Sequence, residues 1–364
     1  MVIILIKIND GQRYSNIELF RIVAMVMIIL FHCSDHAAIQ INGTMPYSID
    51  WFVLMFTRIG GAVGNCAFIL ITGCFMYKKD LHFNSIIKLW LAVFFYTVSS
   101  GILAHYYGWN QFSFKYILST FLPIIYCKYW FVSSYFVLIC FSPFINKLIA
   151  HLNQKEHFIL CLMTIFWLTF IPAIFNVDWL ASSGNLLLFL AVYFIGAYIG
   201  KYDYNYFKRN RNNLVVALLW ICSAWVSVIM FKEYRPEGYL FRYIWGMEKM
   251  FPLLMAVIFL FIYFKNLKIR YNKMINTIAS TMFGCYMLHM GELWQLFFLK
   301  WFNITPYFGT GWVFLPITYC LITVFALGIT IDLLRQYLIE KPLLKRYNKQ
   351  ICVAEDKIKM KLNR

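Results

Sequence analysis

Arg21 and His32 are the first residues whose types and spacing could do chemistry. They stand eleven residues apart in the stretch NIELFRIVAMVMIILFHCSDH, which is otherwise largely apolar. Eleven residues are about three helical turns, so both side chains share one helix face, about 16 Å apart along the axis. A neutral imidazole can take the proton of an attacking hydroxyl. A guanidinium can hold a carboxylate or phosphate through paired hydrogen bonds. Asp35 and His36 follow His32 at i+3 and i+4, on nearly the same face, where Asp35 could orient the His32 ring.

An ionisable group inside a bilayer is costly, which makes each one a functional candidate. Arg58 lies about 10 Å inside the second apolar run by helical rise, too deep to snorkel comfortably. It could meet His32 if the first two runs pack together, and the small residues GGAVG at 60–64 permit that approach. Glu248, Lys249, His289 and Glu292 also fall in the outer half of their runs. Lys88, Asp332 and Arg335 fall on the inner side with Arg21. The expected charge therefore forms two layers. The outer one, of histidines, carboxylates and an arginine, would bind an acceptor through Glu248, His289 and Glu292. The inner one is mainly basic and suits an anionic cytosolic ligand, such as the phosphates of a nucleotide-like cofactor, on Arg21, Lys88 and Arg335. Acyl transfer from a cytosolic thioester to a sugar hydroxyl would use both layers.

Plainer readings stand beside these. His32 and His289 could be interhelical hydrogen-bonders. Arg21, Lys88 and Arg335 could mark span ends, and Lys249 could pair with Glu248. Ser15 and Glu18 have the spacing of a capping box, so Glu18 reads as structural. His32, Asp35 and His36 could chelate an ion, but three side chains at one exposed helix end are a weak signal, and no metal is expected. His82, His105, His151 and His157 receive no role.

The elements that must position these residues are membrane helices. The chain of 364 residues is 62% hydrophobic, 20% aromatic and 13% charged, with mean hydropathy +0.66. A soluble domain carries about 25% charge. The apolar runs are long enough to cross about 30 Å of hydrocarbon as helices, and the alternation of a transmembrane barrel is missing. The expected fold is all-α, a single bundle of ten spans at 19–34, 51–77, 84–106, 130–146, 157–176, 184–200, 213–231, 243–264, 275–299 and 312–340. A tail at 1–18 precedes the core and a basic tail at 341–364 follows it. The piece before the fourth span, FKYILSTFLPIIYCKYW, reads as interfacial or re-entrant. With the N-terminus inside, the inner segments hold 22 Lys and Arg and the outer loops 6. That asymmetry predicts a multi-pass protein of the cell membrane with both termini cytoplasmic. The same rule explains the net charge of +17 without nucleic acid. Ten cysteines, with no Cys-x-x-Cys pair, suggest packing rather than disulfides or structural zinc.

Beyond these readings, the chain resembles the acyltransferase 3 family of membrane proteins. NIELFRIVAMVMIILFH is similar to that family's first-helix motif of a basic residue, ten residues and a histidine. FILITGCFMYKK, YWFVSSYFVLICFSPFI, LLLFLAVYFIGAYIGKY, STMFGCYMLH and IEKPL resemble its cell-surface polysaccharide branch, in the expected order. The resemblance implies ten helices, acetyl-CoA or another acyl-CoA as donor, and a hydroxyl of a surface polysaccharide or its lipid-linked precursor as acceptor. It makes His32 the base, Arg21 its motif partner and Arg58 a catalytic arginine. Lys88, in NSIIKLW, stands where many members carry two or more arginines. A partner in glycan assembly and contacts with membrane lipids are also implied. An acetyl-imidazole relay is a variant of the same chemistry. The rival is a transporter or flippase of amphiphilic glycans, which predicts discontinuous helices and related halves; neither is visible in the sequence.

Overall fold

The computed structural model describes residues 13–38, 48–79, 83–171, 184–234 and 251–347, with isolated positions to 353. Among them there is no strand. Helix α1 runs Ser15–Ala38, α2 Ile49–Arg58, α3 Gly60–Met76, α4 Phe83–Tyr106, α5 Phe114–Phe121, α6 Trp130–His151 and α7 Gln154–Ile165. Then come α8 Gly184–Lys201, α9 Asn210–Tyr234, α10 Phe251–Lys265, α11 Lys273–Ser280, α12 Met282–Met290 and α13 Phe314–Arg335. Among the described residues five segments are long and apolar enough to cross a membrane: Ser15–His36, Ile49–Met76, Phe83–Tyr106, Trp130–His151 and Phe314–Tyr347. Leu186–Lys201 and Phe251–Lys265 are shorter apolar helices. The protein is thus an all-helical membrane protein. Glu248 and Lys249 lie outside the described residues.

Polar side chains start several helices by satisfying first-turn amides. Ser48 accepts from the Trp51 amide, Ser113 from Tyr116 and Asn272 from Ile275. Asn153 and Glu156 form a reciprocal capping box at α7. The box expected at Ser15 and Glu18 does not form. Ser15 is already helical, and its hydroxyl accepts from the Asn272 amide and donates to the Asn276 side chain. Glu18 faces Arg21 and Arg13 instead. A tertiary partner has taken the side chain that local geometry would have used.

Helix α3 is the buried hub, packed against α1 on one side and α8 on the other. Its glycines make this possible. A Cβ on Gly60 would sit 2.3 Å from the Met27 carbonyl oxygen, and one on Gly196 of α8 would sit 2.4 Å from that of Leu70. Backbones this close are the gain from small residues where the hydrophobic effect cannot drive helices together. The outer helices differ: Phe141, Phe144, Tyr319 and Ile322 project apolar surface outward, as contact with lipid tails requires.

Two expected spans are interrupted. In the second, α2 gives way to α3 at Ile59, whose backbone stays in the right-handed helical region. The ninth is broken at Thr281 and again after Met290, where Gly291 adopts an extended conformation and a π-helical segment, Leu296–Trp301, follows. The stretch before the fourth span is the separate short helix α5, followed by turns from Leu122 to Tyr129. The interruption of the ninth span corrects the expectation of continuous helices. It also fixes the candidate site.

Candidate functional site

His32 stands on α1 and is 8% exposed. Its Nδ1 lies 3.0 Å from Nε2 of His289, at the end of α12. His289 is fully buried, and its Nδ1 lies 2.6 Å from the Cys285 carbonyl oxygen. A carbonyl only accepts, so His289 Nδ1 carries a proton. In a neutral ring its Nε2 is then an acceptor, and His32 must donate to it from Nδ1. The remaining nitrogen, His32 Nε2, is left as the basic one. The hydrogen-bond pattern thus assigns both tautomers. A ring held at one nitrogen with its other nitrogen basic is the arrangement of a general base with an orienting partner.

His36, one turn beyond His32, stacks against Trp294 and Phe298, with ring centroids 4.7 Å away in each case. Its ring lies 6.1 Å from that of His32, nearly parallel to it. Both its nitrogens are buried without a hydrogen-bond partner among the protein's atoms. Asp35 accepts from Arg58 Nη2 at 3.0 Å. The structure therefore brings Arg58 to α1, as the small-residue face suggested, but onto Asp35. The partner that orients His32 is His289.

The break after α12 delivers a third group. Glu292 accepts from Asn110 at 2.5 Å, from Tyr116 at 2.7 and 2.8 Å, and from Lys128 at 3.0 Å. Burial, and then this carboxylate, push the Tyr116 phenol well above its ordinary range, so it remains a donor. Glu292 thus clips α5 and its flanking loops to the interrupted helix. Asp50, almost fully buried at the start of α2, accepts from the Gly309, Gly311 and Val313 amides and fixes the turn before α13.

On the inner side Arg21 is 7% exposed. Its Nη1 lies 3.3 Å from Glu18, and its Nε is buried without a partner. Arg13 donates to the Asn276 carbonyl and lies 3.9 Å from Glu18. Burial lowers the pKa of Arg13 from its ordinary value, opposed by Glu18. Arg335 is committed elsewhere: it donates to Asp332 at 2.8 Å and to Glu340 at 2.6 Å. Asp332 also accepts from Tyr96 and Gln336. Lys88 sits half-buried on α4. Among the described residues no cluster of three or more His, Cys, Asp or Glu could hold a metal ion.

Sequence reasoning missed the His32–His289 contact, the Trp294–Phe298 slot, the ligands of Glu292 and the anchoring role of Asp50. STMFGCYMLH singled out the helix carrying His289, yet nothing local names a partner 257 residues away. A family model described as an acyltransferase domain matches residues 14–334, which spans α1 through nearly all of α13. No curated protein matches the chain, and no solved structure does.

Proposed function

The chain belongs to the acyltransferase 3 family, and from that premise we propose that it moves an acetyl group from acetyl-CoA to a hydroxyl of a cell-surface polysaccharide or its lipid-linked precursor. Membrane O-acyl transfer is the family's general chemistry; the donor, the acceptor and the roles below are our reading. The observation that carries it is the relay from His32 Nδ1 through His289 to the Cys285 carbonyl, which leaves His32 Nε2 as the base.

In this mechanism the acceptor hydroxyl attacks the thioester carbonyl while its proton passes to His32 Nε2. The tetrahedral intermediate collapses, the C–S bond breaks, and the departing thiolate takes that proton back from His32. Arg58, held by Asp35 one turn beyond His32, is the cation we assign to the oxyanion. On the donor side Arg21 fits an anion, because a buried guanidinium nitrogen lacks a protein partner and phosphate oxygens would supply one. Lys88 joins it as a point charge. Arg335 leaves the donor set, since two carboxylates already neutralise it.

We keep the path of ten spans with both termini cytoplasmic, which the charge asymmetry supports. The interrupted ninth span is a feature shared with a transporter. Here it delivers His289, Glu292 and Trp294 to three different partners, which chemistry at a fixed site explains. Purified protein in lipid vesicles, given acetyl-CoA labelled in the acetyl group and glycan from the cells of origin, should form a labelled ester. His32→Ala should abolish the ester at unchanged protein level. Movement of glycan without ester formation would replace the enzymatic reading with the transporter.

A further inference from the structure

His36 has no role in the chemistry above, yet its surroundings are unusual. Trp294 and Phe298 cover its ring by stacking, and this fixes its plane. Stacking satisfies carbon faces but not nitrogens. Both nitrogens are buried without a protein partner, although buried polar groups nearly always have one. The slot therefore holds the ring with two hydrogen-bonding nitrogens that no protein atom meets and that are closed to solvent, so a ligand reaches them only by entering between the packed rings.

The position of that edge matters. His36 is four residues after His32 on the same helix face, with ring centroids 6.1 Å apart and planes 26° from parallel. That spacing is too long for a direct hydrogen bond, and a single oxygen can bridge two imidazoles with bonds of about 2.8 Å. His32 Nδ1 is turned toward His289, so its basic nitrogen is the one available to such an oxygen.

We propose that His36 is an acceptor-binding residue: the attacking hydroxyl sits between the two rings of α1, donating its hydrogen to His32 Nε2 and accepting one from the N–H of His36. One lone pair of that oxygen is thereby held, and the other remains to form the bond to the thioester carbonyl. The proton goes to His32 and returns to the leaving thiolate, so His36 is unchanged at the end of the cycle. Its task is to orient the nucleophile, which is where much of the gain from a fixed geometry lies. This rests on the proposed function. The ligand class is a hydroxyl-bearing glycan, and the rigid slot explains why the second histidine is braced by aromatic rings rather than by a carboxylate.

The test uses His36→Phe and His36→Gln in the full chain, made in cells of origin whose own copy is inactivated. Acetyl-ester content of the surface glycan reads acceptor use. The rise in Tm that acetyl-CoA gives the purified protein reads donor binding. The expected result is a fall in ester of tenfold or more for His36→Phe, with the acetyl-CoA shift and protein level retained. His36→Gln, which keeps a donor, should regain part of the ester. Unchanged ester in His36→Phe, no recovery with His36→Gln, or loss of the acetyl-CoA shift would overturn the assignment. Wild-type levels of ester in His32→Ala would instead overturn the underlying mechanism.

Discussion

Two buried polar clusters share helix α12 and have opposite character. Gly284 packs directly against Asp332, whose side-chain carbon would lie 2.4 Å from a Cβ added there. His289, five residues on, meets His32. By helical rise the two are only about 7 Å apart along the axis. Asp332 is 1% exposed, and both its oxygens are taken, one by Tyr96 and Arg335 and the other by Gln336. Arg335 in turn reaches Glu340. Every strong group in that cluster is answered. In the histidine cluster the hydrogen bonds run one way, from His32 through His289 to the Cys285 carbonyl, and leave a basic nitrogen at their start. A buried cluster that closes on itself holds the bundle together; one that stops at an open valence can react. Burial alone does not distinguish them, since all these groups are deep in a membrane bundle.

This contrast can be broken most severely at His32. Its replacement by Ala removes the base and should lower acetyl transfer by about 10³-fold or more, with no loss of folded protein, measured as labelled ester per milligram. Asp332→Ala should do the reverse. Leaving Arg335 short of one of its two carboxylates should cost about 3–5 kcal/mol of stability, read as a lower unfolding temperature in detergent. Activity per folded molecule should persist, and its loss at unchanged Tm would move Asp332 into the reaction. Replacing His289 by Ala should fall between these, lowering the rate by about 10²-fold, because the base remains but its tautomer is no longer set. His289→Gln offers an acceptor to His32 Nδ1 and should recover part of that; equal rates for the two variants would argue against orientation. The smallest effect is expected at Gly60→Ala, whose methyl would press on the Met27 carbonyl. Overpacking there should cost about 1–3 kcal/mol, seen as a drop in Tm with a modest change in rate.

Much of the fold was legible in residue order. Apolar run lengths anticipated the helices, and the 3.6-residue period put Arg21 and His32 on one buried face of α1. GGAVG identified the side on which α3 approaches α1, because small residues are the direct requirement for close backbones. The chemistry of the site was less legible. His32 lies 257 positions from the partner that sets its tautomer. The nearer Asp35, which spacing favours, is engaged by Arg58. The capping box at Ser15 failed for the same reason: Asn272 and Asn276 compete for its hydroxyl from a distant helix. Arg335 and Arg21 look alike in the sequence, each a cation at the inner end of a span. Only their partners separate an arginine fully answered by carboxylates from one with an unanswered buried nitrogen.

The sequence by itself determined that this chain lives in a bilayer, that it folds as helices, and that a histidine and an arginine sit three turns apart on one of them. These follow from hydropathy and helical period, which are local and additive along the chain. Tertiary structure decided which imidazole nitrogen is basic, which arginine keeps a buried nitrogen without a protein partner, and that the apolar run at 275–299 breaks to bring His289, Glu292 and Trp294 to their partners. Hydrogen bonds are short-ranged and directional, so their pairing depends on which helices meet and at what height.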